Sequence, residues 1–254
     1  MSRQDAILQI ARTRGRVFVD QLAGELGVST HTIRRDINSL CENAKLRRLH
    51  GGAEFIESLA NLPYPTRQVL NRAAKQQIAS ATAQIVPDGA TVFFSIGSTP
   101  AIVAASLAQR EGLTVVTNNL NVALAFADSA RNRVILPGGT LRLPDLDVVD
   151  AGAEEVFATY RADFGIFGVG GIDLDGSLLD FHREEVSARE TIRANARVAI
   201  LVADSSKFGR RAAAVGGRLG DADLVVTEAY PGEAFAPILE PLGDRLILAG
   251  KDAQ

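Results

Sequence analysis

The chain has 254 residues and a formal net charge of −3, from 27 Lys and Arg against 30 Asp and Glu. A hydrophobic fraction of 46% beside 22% charged residues is ordinary globular composition and excludes wholesale disorder. No apolar run approaches the roughly 20 residues that span a bilayer. The first residues do not read as a secretory signal, and Cys41 is the sole cysteine, which excludes an intrachain disulfide and a cysteine-rich metal site. The expected compartment is a reducing cytoplasm.

The charge is unevenly spread. Residues 1–55 hold nine basic and six acidic side chains, a net of +3, and the remainder holds 18 basic and 24 acidic ones, a net of −6. An asymmetry of this sign predicts a small basic module joined to a larger acidic one.

Ile7, Leu8, Ile10 and Ala11 recur at helical spacing within residues 3–13, and Gly15 ends that segment. Asp20 is placed to cap a second helix holding Leu22, Ala23 and Leu26, stopped by Gly27; Ser29 is placed to cap a third that runs to Glu42. Two short helices around a Gly-containing turn predict a helix-turn-helix unit. On the third helix, Ile33, Ile37 and Leu40 share one stripe at about 100° per residue. His31, Arg35 and Asn38 then point the opposite way, with Thr32 and Arg34 on the flanks and Thr30 in the first turn. Arg can grip guanine bidentately, while Ser, Thr and backbone N–H groups hold phosphates. Ser29, Thr30, His31, Thr32, Arg34, Arg35 and Asn38 are therefore candidate DNA contacts. A solvated helix face would explain an isolated Arg-Arg pair, but the position of this pair in the motif favours the major groove. Residues 45–55 read as a hairpin with Gly51-Gly52 at its tip, a wing whose Arg47, Arg48 and His50 are candidate phosphate contacts.

The stretches VFVDQLAGELGVSTHTIRRDINSL and LRRLHGGA resemble the DeoR-type family of bacterial transcription regulators. The resemblance implies an N-terminal winged helix-turn-helix followed by an effector-binding domain. The expected boundaries are 1–57 for the DNA-binding domain, 58–74 for a linker marked by Pro63 and Pro65, and 75–254 for the effector domain.

After a helix over Lys75–Val86, short β-branched runs alternate with helical segments, which predicts an α/β domain with a mainly parallel sheet. The strands are expected at 91–94, 114–117, 133–136, 164–169, 198–203, 224–226 and 246–248. Ligands in such domains bind at the carboxyl ends of the strands. Ser95-Ile96-Gly97-Ser98-Thr99-Pro100 links a strand to a helix, and its Gly, hydroxyls and N-terminal N–H groups suit an anion, most simply phosphate; a plain helix cap is the alternative. Asn118 and Asn119 either bind hydroxyls of a polyol or cap the next helix. Gly138-Gly139 and Gly170-Gly171 end strands where a backbone must turn or approach a ligand closely. His182, Arg183 and Glu184, at the start of a helix, are further candidate ligand contacts, and Lys207 follows a core strand, placed to close a phosphate pocket. Metal-binding spacing is lacking, so neither a metal nor a cofactor is expected.

IGSTP, VVTNNLNVA, ILPGGTLR and ADSSKFGR extend the resemblance, to the glycerol-3-phosphate regulon repressor branch of that family. The branch implies a cytoplasmic repressor released from its operator by a phosphorylated polyol or sugar, on an effector domain resembling the ribose-5-phosphate isomerase fold. Two positions depart from the family pattern: Ser95 stands where an acidic residue is usual, and Asp150-Ala151 stands where Gly is usually followed by Glu or Pro. A homodimer or homotetramer would set two recognition helices in successive major grooves. The competing reading is a sugar-phosphate isomerase with Glu184, Glu185 or Asp180 as its base. A basic wing and recognition helix have no use in an isomerase.

Overall fold

A computed structural model describes residues 3–14, 16–42, 45–49, 51–55 and 61–250. The chain divides into two compact units, 1–58 and 59–254.

The first unit runs α1 (Arg3–Arg14), β1 (Arg16–Phe18), α2 (Val19–Leu26), α3 (Thr30–Glu42), β2 (Leu46–Leu49) and β3 (Gly52–Phe55). Ile7, Ala11, Val17, Leu22, Ile33, Ile37, Leu40 and Leu46 form its core. Ser29 caps α3 as expected, its Oγ accepting the Thr32 N–H at 3.2 Å. Asp20 does not cap α2: the helix starts two residues earlier than that, with Phe18 as its N-cap, and leaves the carboxylate in the first turn, where it still complements the helix dipole. The antiparallel sheet has the order β1-β3-β2, so the hairpin gains a third strand that Arg16–Phe18 did not announce. Gly52 makes that pairing possible, since a Cβ there would lie 2.1 Å from the Val17 carbonyl oxygen.

The second unit begins with α4 (Tyr64–Val69) and α5 (Arg72–Ile85), so the stretch read as a linker is partly helical. Pro65 sits in the first turn of α4, where its missing N–H interrupts no helical bond, and the Tyr64 side chain is buried. There follow β4 (Thr91–Phe94), α6 (Ser98–Leu107), β5 (Thr114–Thr117), α7 (Leu120–Ala125) and β6 (Arg133–Ile135). A two-stranded hairpin, β7 (Leu141–Arg142) with β8 (Asp147–Val148), leads into α8 (Ala151–Thr159). The chain continues through β9 (Ala162–Phe167), β10 (Gly171–Ile172), β11 (Ser177–Asp180), α9 (Arg183–Asn195) and β12 (Ala196–Val202). It closes with β13 (Ala214–Arg218), β14 (Leu224–Thr227), α10 (Ala236–Leu239) and β15 (Leu246–Leu248).

Seven strands form one parallel sheet of order β15-β14-β12-β9-β4-β5-β6. Both faces are covered, which is why its strands read as continuous apolar runs. Alternate residues feed two cores: Val92, Phe94, Val115, Ile166 and Ile200 go to the side packed with α5 and α6. Phe93, Val116, Phe167 and Leu201 go to the side that contains Phe157 of α8 and Ile192 of α9. A smaller antiparallel sheet, β10-β11-β13, was not expected; its strands are short and rich in Gly. From β4 the chain winds outward through β5 and β6, and from β9 it winds the other way through β12, β14 and β15. The β4/β9 boundary is thus a topological switch point, where loops leaving adjacent strands open a crevice.

Candidate nucleic-acid interface and effector pocket

In the first unit the amphipathic pattern of α3 resolves as the sequence demands. Ile33, Ile37 and Leu40 are buried, while His31, Arg34, Arg35 and Asn38 are exposed and Thr30 and Thr32 half-buried. The polar face is steadied from behind: buried Asp36 accepts the Arg3 Nε at 2.5 Å and ties α3 to α1. Arg48 is exposed on β2; the Arg47 side chain and His50 lie outside the described residues. This surface offers guanidinium, imidazole, amide and hydroxyl groups along one helix face, the chemistry of base-edge and phosphate recognition.

In the second unit the expected anion loop sits at the switch point. Gly97 has φ +114, a conformation that favours glycine, and acts as N-cap of α6. Ser98 and Thr99 are buried in the first turn, whose N–H groups have no partner within the helix. Ser95 and Asn119, both expected to meet ligand, have side chains committed to building the loop. The Ser95 hydroxyl accepts the Gly168 N–H at 3.1 Å and donates to the Ile96 carbonyl at 3.0 Å. Asn119 donates to the carbonyls of Ser95 and Gly97, while its Oδ1 accepts the Asn121 N–H at 3.0 Å. Asn118 differs: its amide donates to the Val148 carbonyl at 2.7 Å, but its buried Oδ1 has no hydrogen-bond partner.

Three cations missed in the sequence converge here with Lys207. Lys75 of α5 is 3% exposed and its ammonium donates to Ser98 Oγ at 3.1 Å and to the Arg67 carbonyl at 2.5 Å. Burial, opposed by the Asp204 carboxylate and aided by Arg67 and Arg210, lowers it to about 8. Burial, then the charge of Arg210, lowers Lys207 to about 7. Arg210 is itself lowered by burial and by Arg67, and its guanidinium lies 4.9 Å from the centre of the Phe181 ring. Asp204 is the carboxylate that raises Lys75, Lys207 and Arg210 alike. Its Oδ1 also accepts the Asn71 amide and the Ser206 N–H, capping the turn that carries Lys207. Lys75 carried a legible signal, since it precedes Ile78, Ala79 and Thr82 on the buried stripe of α5. A Lys on an apolar stripe must have a buried destination.

Of the remaining candidates, some have structural partners and the others are exposed. Both oxygens of Asp150 accept backbone N–H groups, from Gly152 at 3.1 Å and Thr140 at 3.0 Å, and Gly139 packs against that carboxylate at φ +129. Gly138 is exposed. Gly170 and Gly171 admit close backbone neighbours: a Cβ would lie 2.9 Å from the Leu179 carbonyl oxygen at the first and 2.0 Å from that of Arg210 at the second. His182, Arg183 and Glu184 are exposed at the start of α9. Two of the three carboxylates nominated as isomerase bases, Glu185 and Asp180, are held in ion pairs. Glu185 receives Arg142 at 2.9 Å, which also grips Asp147 bidentately. Asp180 pairs with buried Arg189 at 3.0 Å and, through burial, rises to about 6. Among the described residues no group of side chains could hold a metal, and no helix is long and apolar enough to cross a membrane.

A basic recognition helix on a winged unit, joined to a doubly wound sheet with a cation-lined crevice, defines a ligand-controlled DNA-binding regulator. Residues 3–59 match the DeoR-like helix-turn-helix domain and residues 70–229 match the DeoR C-terminal sensor domain. The chain belongs to the DeoR family and is a transcriptional repressor rather than an enzyme, binding operator DNA and carrying a sensor domain for a small-molecule effector. It is 39% identical to the glycerol-3-phosphate regulon repressor of Escherichia coli, over 93% of this chain and 94% of the relative. It is 36% identical to the HTH-type transcriptional repressor CsqR of the same organism, over 99% of this chain and 96% of that one. Among solved structures, ribose 5-phosphate isomerase A of Methanocaldococcus jannaschii is similar at a TM-score of 0.41 and 15% identity, over 54% of this chain and 55% of that one.

Proposed function

We propose that this repressor is released from its operator by a phosphorylated polyol or sugar, with the phosphate on the Ser98–Thr99 turn. The observation that carries the reading is the Lys75 ammonium, buried and bonded to Ser98 Oγ at 3.1 Å, among a cluster completed by Arg67, Lys207 and Arg210. Buried cations at less than their ordinary basicity are costly until an anion compensates them. A phosphate monoester supplies up to two charges and three acceptor oxygens to that place. The free Asn118 Oδ1 can accept one hydroxyl of the polyol. Glycerol 3-phosphate is the first candidate because relatives of this chain are named for its regulon.

The DNA-reading part falls to residues 1–57, as a homodimer or homotetramer in the cytoplasm. The effector acts by preferring one of two conformations, and shifts operator affinity only by that preference. A thermal-shift series on the full chain with phosphorylated polyols and sugars tests the reading. The true effector raises the melting temperature in a concentration-dependent way, and Thr99→Ala removes that rise while operator binding persists. Affinity is expected to be highest between about pH 6, where the phosphate gains its second charge, and about pH 7, above which first Lys207 and then, near pH 8, Lys75 lose their protons. Stabilisation by unphosphorylated polyols and not by their phosphates would defeat it.

A further inference from the structure

The cations of the pocket also hold down the first described segment of the sensor unit. Residues 61–70 follow directly on the connection to the DNA-reading unit. Their backbone is fastened at several points: the Lys75 ammonium donates to the Arg67 carbonyl at 2.5 Å, and the Arg67 Nε donates to the Leu62 carbonyl at 2.8 Å. The Arg210 guanidinium reaches Asn61 Oδ1 at 3.4 Å, and Arg67 pairs with Asp145 in the turn between β7 and β8. The same ammonium therefore touches both the anion turn, through Ser98, and the strap, through Arg67.

We propose that residues 61–70 are a strap that the effector's phosphate locks onto the sensor unit, so that ligand sets whether this segment, which precedes the rest of the sensor unit in sequence, is held or released. This rests on the assignment of the phosphate to Ser98–Thr99. Without an anion, Arg67, Lys75, Lys207 and Arg210 repel one another, and that repulsion works against a strap that carries one of the four. An ammonium has three donors, and Lys75 has two of them on Arg67 and Ser98. A phosphate taking the third leaves both bonds in place and removes the repulsion. A locked strap stays on the sensor unit, and a loosened one releases residues 61–70 to lengthen the tether to the DNA-reading unit. Tether length governs how far two heads can spread over two half-sites.

Hydrogen exchange on the full chain tests this, with glycerol 3-phosphate and inorganic phosphate as probes. The reporters are the Arg67 and Leu70 amides, bonded to the carbonyls of Pro63 and Thr66. With a probe at about ten times its dissociation constant, exchange through strap opening slows by about tenfold, together with slowing at residues 97–101. In Asp145→Asn, which removes the strap's other counter-charge and leaves the pocket cations intact, the unliganded strap exchanges faster and the slowing by probe is larger. Protection at 97–101 with strap amides unchanged or faster overturns the strap and leaves the phosphate site standing. Protection at neither segment, with either probe, overturns the phosphate site and the strap with it. An equal probe effect in wild type and Asp145→Asn also counts against the strap.

Discussion

On α3, Arg34 and Arg35 stand in solvent, whereas Lys75 on α5 is 3% exposed and lowered to about 8. Both helices carry cations, yet the two sites face opposite energetic problems. Exposed guanidinium groups cost little to keep charged, and their pull on phosphate weakens as salt screens it. Buried ammonium groups are costly to keep charged, and salt screens them far less. The first arrangement suits a long polyanion met at many points, and the second a small anion met once and completely enclosed. On the proposed reading, the difference lets an acidic chain serve both DNA and a small anion, because each site is lined by its own cations.

The largest expected effect tests the buried side. Lys75→Met removes the charge that bridges Ser98 and Arg67, so the effector response is lost altogether, read as the absence of any ligand-induced melting shift. The ligand-free protein becomes more stable, because keeping this charge buried costs on the order of 2–3 kcal/mol at pH 7. The sign follows from the depressed folded value. Below about pH 8 the penalty is fully present, and it fades as pH rises toward 10.5, where the unfolded chain also releases the proton. Wild-type stability therefore gains between those limits a contribution that Lys75→Met lacks, measurable as the difference between the two denaturation profiles against pH. An unstable Lys75→Met protein would show that the ammonium serves packing rather than ligand.

The exposed side gives the next effect. Arg35→Ala is expected to weaken specific operator binding by about 1–3 kcal/mol, with the melting response to effector unchanged in thermal-shift measurements. Loss of that response along with DNA binding would erase the distinction between the two sites. Arg48→Ala gives the smallest effect: binding to specific and random DNA falls equally, and the slope of log affinity against log salt drops by about one. A sequence-selective loss would move Arg48 from the phosphate backbone to the base edges.

Most of α3 was legible because burial and exposure alternate within one helix, so thirteen neighbouring residues contain the whole pattern. The Ser95–Pro100 turn was legible for the same local reason, as was Lys207. The other three cations were not: Arg67, Lys75 and Arg210 lie on different elements, and only the winding of the sheet brings them together. Arg67 was further hidden by Pro63 and Pro65, which mark loops in most contexts but here begin α4. The short strands β10, β11 and β13 escaped because they are too brief to show alternation, and because β13 pairs with β11 from far along the chain. Ser95, Asn119 and Asp150 were recognised by position, but their oxygens and amides serve the backbone, a distinction that only hydrogen-bond geometry reveals.

The Lys75–Ser98 contact has a consequence for synthesis. Its companions Lys207 and Arg210 follow more than a hundred residues later, after β12 and before β14. A growing chain presents the recognition helix early and completes the cation cluster only when β12 and the turn after it have formed. On the proposed reading, any fragment cut short before that point carries the recognition helix without the cluster that would answer the effector.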